Sequence, residues 1–204
     1  MAQLLFATLL YRARLAARLT RDLEIACLAI AAEDRAGQLW AKRHGYKGYT
    51  SYASLDDLPL RAPAFADLQA QLDRQVAQFA RQVQFDLGQG NKKRKLAMDS
   101  IWVNVMAHGA VHSAHIHPQA VVSGAYFVKA PKDSGALRFE DPRLPMMMAA
   151  PPRRPNARVE NRSFVSVTPK AGTLLLWESW LRHEVEANRA NGHRISVSFN
   201  YRLE

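Results

Sequence analysis

His112-Ser113-Ala114-His115-Ile116-His117-Pro118 leads, through Gln119 and Ala120, into Val121-Val122-Ser123-Gly124-Ala125-Tyr126-Phe127-Val128. The second run is rich in β-branched and aromatic residues and stops at the turn signals from Pro131 to Gly135, which marks it as a strand. The first run places two imidazoles two positions apart. Side chains on an extended chain alternate between faces, so His115 and His117 point the same way and can converge on one cation. His112 stands three positions before His115, faces the other side by the same rule, and reads as a loop or rim residue.

Working outward, five more short β-rich runs share this half: Ile101 to Val105, Ala136 to Phe139, Phe164 to Val167, Thr173 to Trp177 and Arg194 to Phe199. Turn signals at 142–155, 169–172 and 188–192 separate them. Many short strands at even spacing predict a closed sandwich or jelly roll rather than a parallel α/β sheet. Residues 142–163, rich in Pro, Met and Arg, form a long loop, and a loop of that length on a compact barrel is usually functional or mobile. His183, 66 positions after His117 (183 − 117), follows Trp180-Leu181-Arg182 and is the natural candidate for a third ligand. His108 and His193, each next to a glycine, read as surface turn residues, and Trp177 and Trp180 as core and wall.

The chain divides near residue 98, with a helical half before it. Leu23 to Asp34 suits a largely buried helix. Pro63 then opens a stripe of Phe65, Leu68, Leu72, Val76, Phe79 and Val83 at steps of 3 and 4, one apolar face of a helix of about 20 residues. Gly45 to Tyr52 reads as a loop whose three tyrosines either line a pocket or pack the loop down. The basic run Asn91-Lys92-Lys93-Arg94-Lys95 has no interleaved aromatics and reads as a solvated turn.

Composition sets the limits. At 204 residues, the chain reads as a single domain spanning 1–204, with 1–98 as the helical half and 99–204 as the β core. Cys27 is the one cysteine, which excludes an internal disulfide and any cysteine-rich zinc module, so metal chemistry must use His and carboxylates. The net charge of +10 invites polyanions, because Lys and Arg on phosphates release counterions. Arg is spread along the whole chain, however, and nucleic acid is not the expected partner. No stretch reaches the roughly 18 apolar residues of a membrane span. The apolar opening, Met1 to Leu10, is followed rather than preceded by its positive residues, the reverse of a secretory signal. An organelle transit peptide is the alternative to the default, a cytoplasmic location.

Five motifs come in fixed order: His115-Ile116-His117-Pro118, Ser123-Gly124-Ala125-Tyr126, Phe139-Glu140-Asp141-Pro142-Arg143, Gly172 to Trp177, and Ser179 to Val185. They end in Arg194-Ile195-Ser196-Val197-Ser198-Phe199-Asn200. The series resembles the iron(II)/2-oxoglutarate-dependent oxygenase superfamily, and within it a bacterial and phage subgroup of unassigned substrate. The resemblance covers 99–202, and Gly48 to Tyr52 resembles the N-terminal half of that subgroup. It implies a double-stranded β-helix, a jelly roll of cupin-like form, packed against the N-terminal helices and holding Fe(II) at one mouth. It also implies a basic residue some ten positions after the distal histidine that binds the far carboxylate of 2-oxoglutarate. Arg194, 11 positions after His183 (194 − 183), fits, and the role suits Arg because its planar fork pairs bidentately with a carboxylate. Ser196, on the same strand face, and Asn104 and Tyr126 from neighbouring strands are further candidates for cosubstrate binding.

One position departs from the superfamily, where the first ligand pair is His-x-Asp or His-x-Glu. Here the second member is His117. Three readings follow: a site of His115, His117 and His183; a site in which His117 stands back and water, Glu140, Asp141 or Glu184 makes the third contact; or a degenerate site that binds iron poorly.

The resemblance implies an oxygenase that takes O2, 2-oxoglutarate and a small-molecule or peptide substrate. The Arg-rich loop favours an anionic substrate, and a homodimer is one option for its assembly. The competing class is a non-catalytic cupin-like metal-binding or sensor protein, which has no use for a carboxylate fork at Arg194.

Overall fold

The computed structural model describes residues 2–90 and 93–204; Met1 and part of the basic run 91–95 lie outside them. The first strand, β1 (Tyr11–Arg14), precedes helices α1 (Ala17–Glu33) and α2 (Arg35–Arg43), the short strand β2 (Gly48–Thr50), and helices α3 (Leu58–Arg61) and α4 (Pro63–Gln82). Eight strands follow: β3 (Leu96–Met106), β4 (His112–His115), β5 (Val122–Lys129), β6 (Leu137–Glu140), β7 (Phe164–Val167), β8 (Thr173–Glu178), β9 (His183–Val185) and β10 (Arg194–Leu203). Together with β1 and β2 they form two antiparallel sheets, one ordered β1-β8-β5-β10-β3-β2 and the other β4-β9-β6-β7. The fold is mainly β, a double-stranded β-helix with helices on one face.

Strand alternation explains why three layers form. Along β10, Ile195, Val197, Phe199 and Tyr201 join a core shared with the helices, while Arg194, Ser196 and Ser198 line the space between the sheets. β3 repeats the pattern: Ile101, Val103 and Val105 face the helices, and Trp102 and Asn104 face inward. The stripe of α4 meets this apolar side. Pro63 sits in its first turn, where a missing N–H costs nothing, and Phe65, Leu68, Leu72, Val76 and Phe79 are all buried. Each such side chain contributes about 1.5–3 kcal/mol of burial before its ordering cost. A second core of Met106, Ala125, Phe127, Leu137, Phe139, Leu175 and Trp177 fills the gap between the sheets beside the inward polar residues.

Several expectations are corrected. The helix expected from Leu23 starts six positions earlier, at Ala17, and a second helix, α2, follows it. Asp34 caps α2 by accepting the Gly37 N–H at 3.0 Å, a start signal hidden in a run with no strong apolar period. Part of the loop from Gly45 to Tyr52 is a strand, β2, which pairs with β3. Gly48 has φ +135, and a Cβ there would collide with the Val105 carbonyl, so this edge pairing needs glycine. β1 likewise pairs with β8, so the helical half of the chain supplies both edge strands of the larger sheet. Among the described residues, no helix is long and apolar enough to cross a membrane.

Candidate metal centre

β4 and β9 bring two of the histidines together. His115 and His183 are direct partners in the β4–β9 ladder, with ring centroids 4.5 Å apart. His117 lies two positions past the end of β4, where its backbone N–H donates to the Ser179 carbonyl at 3.0 Å, and its ring centroid is 5.0 Å from that of His115. One nitrogen from each residue lies within 4.8 Å of the others, a spacing that a single cation can bridge. The neighbouring backbone sets the tautomers. His115 Nδ1 lies 2.6 Å from the Ser113 carbonyl and His183 Nδ1 lies 2.9 Å from the Leu181 carbonyl. A carbonyl only accepts, so in both rings Nδ1 carries the proton and Nε2 keeps the lone pair.

Burial keeps His117 and His183 neutral. Desolvation pulls the His183 pKa down to about 3, with the neighbouring imidazoles adding to it against the Leu181 carbonyl. Desolvation and His115 hold His117 at about 4. Neutral imidazole is the form that ligates. The carboxylates considered as alternatives are engaged elsewhere: Glu140 with Arg182 at 3.2 Å, Glu184 with Arg138 at 2.7 Å, and Asp141 with Arg143 at 2.9 Å. None of the three joins the cluster among the described residues.

His112 overturns the strand-parity expectation. His112 pairs with Val185 and His115 with His183, so β4 spends three steps where β9 spends two (115 − 112 against 185 − 183). This bulge returns His112 to the inner face, where it lines the same pocket as the triad. Its Nε2 lies 2.7 Å from the Tyr46 hydroxyl. Desolvation, the Arg194 charge and His115 bring its pKa down to about 3. Tyr46, in the stretch read as a loop, thus supports the pocket wall. Tyr49 is buried on Asp34 at 2.8 Å, and Tyr52 packs edge-on against Trp102. His108 and His193 are exposed, as expected for turn residues.

Arg194 closes the far end of the pocket. It is 2% exposed, yet among the described residues no carboxylate pairs with it. One Nη meets Met106 Sδ at 3.1 Å and Ser196 Oγ at 3.3 Å, the guanidinium lies 5.1 Å from the Phe127 ring centroid, and Nε has no partner. Burial pulls its pKa down to about 10, with the Tyr46 phenol opposing. The Trp177 indole N–H, on another pocket residue, is also buried and unpartnered. A desolvated cation beside idle donors is costly unless an anion fills the space. Asn104 also lines the pocket, accepting from Thr50 Oγ1 at 2.9 Å and donating to Ser198 Oγ at 3.2 Å. Tyr126 does not belong here. Its neighbours Ala125 and Phe127 face inward, so Tyr126 points to the helices, where its hydroxyl meets Thr20 Oγ1 at 2.7 Å. Strand parity removes it from cosubstrate contact.

Three imidazoles within reach of one cation, in one pocket with a buried arginine that meets no carboxylate among the described residues, fit a metal and a dicarboxylate cosubstrate together. A family model described as "Putative 2OG-Fe(II) oxygenase" matches residues 100–200, the segment that carries all of these groups. The chain belongs to the 2-oxoglutarate/iron(II) oxygenase family. As a member it is an oxygenase with Fe(II) and 2-oxoglutarate as cofactor and cosubstrate, and it takes O2 with a small-molecule or peptide substrate. None of the curated proteins matches it in sequence. Similar solved structures agree on the fold. A Pseudomonas putida prolyl-4-hydroxylase is 19% identical, with TM-score 0.62 over 95% of this chain and 92% of that one. HygX from Streptomyces hygroscopicus, solved with nickel and 2-oxoglutarate bound, is 14% identical, with TM-score 0.61 over 95% and 82%. A Trichoplax adhaerens prolyl hydroxylase in complex with a peptide fragment is 16% identical, with TM-score 0.58 over 94% and 82%.

Proposed function

We propose that this oxygenase holds Fe(II) with three histidines, His115, His117 and His183, and anchors the distal carboxylate of 2-oxoglutarate on Arg194, to hydroxylate an anionic substrate. The buried Arg194, in the pocket of the triad and with no carboxylate partner among the described residues, is the observation that carries this reading. Iron, once bound, supplies the activation of dioxygen coupled to oxidative decarboxylation of 2-oxoglutarate. The chain's own part is placement. His115 and His183 present Nε2 because their Nδ1 protons are committed to backbone carbonyls. Ser196 and Asn104 flank the guanidinium end. Trp102 and Trp177 wall the pocket against water. With imidazole in place of the usual carboxylate, the metal site is one charge more positive than a two-histidine, one-carboxylate site.

The substrate sits at the rim. The loop between β6 and β7 closes on itself through the Asp141 N–H donating to the Ser163 carbonyl at 2.8 Å, and Phe139 at its root pairs with His183. Arg143, Arg153, Arg154, Arg158 and Arg162 are all exposed on it. Only Arg143 pairs with a carboxylate among the described residues, which leaves a positive rim beside the metal end.

Anaerobic addition of Fe(II) and 2-oxoglutarate tests the centre. A visible metal-to-ligand band and succinate release on admitting O2 are expected, with both lost in His183→Ala and the band weakened in Arg194→Ala. A wild-type protein with no band refutes the assignment. Turnover of a neutral substrate independent of salt refutes the anionic class.

A further inference from the structure

The triad is supported unevenly. His115 and His183 each turn Nδ1 to a backbone carbonyl, but His117 turns Nδ1 to a side-chain amide, Asn200 Nδ2, at 3.5 Å. We infer that Asn200 is a positioning residue for His117: when metal binds, the amide turns over, Oδ1 accepts the Nδ1 proton of His117, and the ring is held with Nε2 on the metal. The inference rests on the three-histidine reading above.

A neutral histidine that gives its Nε2 lone pair to a metal carries its proton on Nδ1, so whatever faces Nδ1 must accept. The amide instead offers its donor, which suits a His117 with a bare Nδ1. The surrounding network lets it turn. Asn200 Oδ1 accepts from Ser123 Oγ at 2.8 Å, Nδ2 donates to Ser100 Oγ at 3.1 Å, and Ser123 Oγ shares a hydrogen bond with Ser179 Oγ at 2.8 Å. Hydroxyls both donate and accept. After a half-turn of the amide, Nδ2 donates to Ser123 while Oδ1 accepts from Ser100 and from His117. Every polar group keeps a partner, so the turn carries no unsatisfied-group penalty. Asn200 is buried, and Ser179 also accepts the His117 backbone N–H, so the serine network and the ligand move as one unit.

Such a support distinguishes imidazole from carboxylate at 117. An imidazole with metal on Nε2 needs an acceptor from residue 200, whereas a carboxylate needs a donor. Ni(II) titrated calorimetrically into the metal-stripped chain tests this without turnover. N200L weakens Ni(II) binding about 10- to 100-fold, the usual effect of losing an outer support. N200D, which offers only acceptors, retains wild-type affinity. In the H117D background the sign reverses: N200D lowers affinity relative to H117D alone, because two carboxylates then face each other. A merely structural role for Asn200 penalises N200D alike in both backgrounds, and that result overturns the inference even if N200L fails to fold. H183A separates the two failures. If H183A abolishes binding while N200L leaves it unchanged, Asn200 alone is wrongly assigned; if H183A leaves binding unchanged, the triad and the inference fall together.

Discussion

His115 and His183 face each other across an antiparallel ladder, rings 4.5 Å apart, immediately beside the bulge that gives β4 its extra residue. The bulge puts His112 and His115 on one face although they are three positions apart. One irregularity therefore turns His112 into the pocket lined by His115, His183 and Arg194.

The first prediction concerns the ligands. H115A and H183A each weaken Ni(II) binding by more than about 100-fold, since a direct ligand outweighs the outer-support effect. H117D keeps the metal, because a carboxylate restores an ordinary three-ligand set. Calorimetry on the metal-stripped chain measures both.

Arg194 links function to instability. R194M keeps the volume but removes a buried cation that has no counter-ion. The ligand-free chain gains about 1–4 kcal/mol in urea unfolding, as when buried ions give way to apolar groups. Binding of 2-oxoglutarate to the Fe(II)-loaded protein, followed by its absorption band, is weakened. R194K keeps the charge but forfeits the bidentate fork, and raises the half-saturating 2-oxoglutarate concentration about tenfold or more.

Stability falls in acid, and His112 sets part of the slope. Its folded pKa of about 3 lies below its unfolded value of 6.5, so the unfolded chain binds the proton more readily. The stabilisation from a neutral His112 is full above pH 6.5 and is lost as pH falls toward 3. By pH 5 the loss is about 2 kcal/mol. Urea unfolding of the metal-free protein at pH 7.5 and 5 measures the fall, and H112Q shows a shallower one.

Gly124 tests the packing behind the pocket. A Cβ there would collide with the Phe199 ring and come 2.8 Å from the Leu175 carbonyl, a backbone atom that cannot swing away. G124A destabilises by about 1–3 kcal/mol in thermal or urea unfolding. An unchanged melting temperature would show that β5 and β10 have slack.

Local pattern was enough for much of this. The α4 stripe from Phe65 to Phe79, the β runs from Ile101 onward and the order of the motifs are properties of neighbouring residues, whose period reports which face is buried. The short spacing of His115 and His117 suggested a shared cation from the residues alone, whereas the roles expected of Arg194 and Ser196 came with the family resemblance. The structure gathers His115, His117, His183, Arg194 and Ser196 around one pocket. The shortest strands were not legible: β1, β2 and β9 have 4, 3 and 3 residues, too few to show a period. Tyr126 was misplaced because hydrogen-bonding chemistry says nothing about which face of β5 a residue occupies.

By itself, then, the sequence determined the class of fold and the histidines and arginine from which a candidate site could be built. Only the tertiary structure decided which of these groups meet. The β4 bulge brings His112 inward, the loop tyrosine Tyr46 reaches it, and Asn200, 83 positions from His117, closes on its ring. Those are contacts between distant segments, set by register and packing, and no local periodicity encodes them.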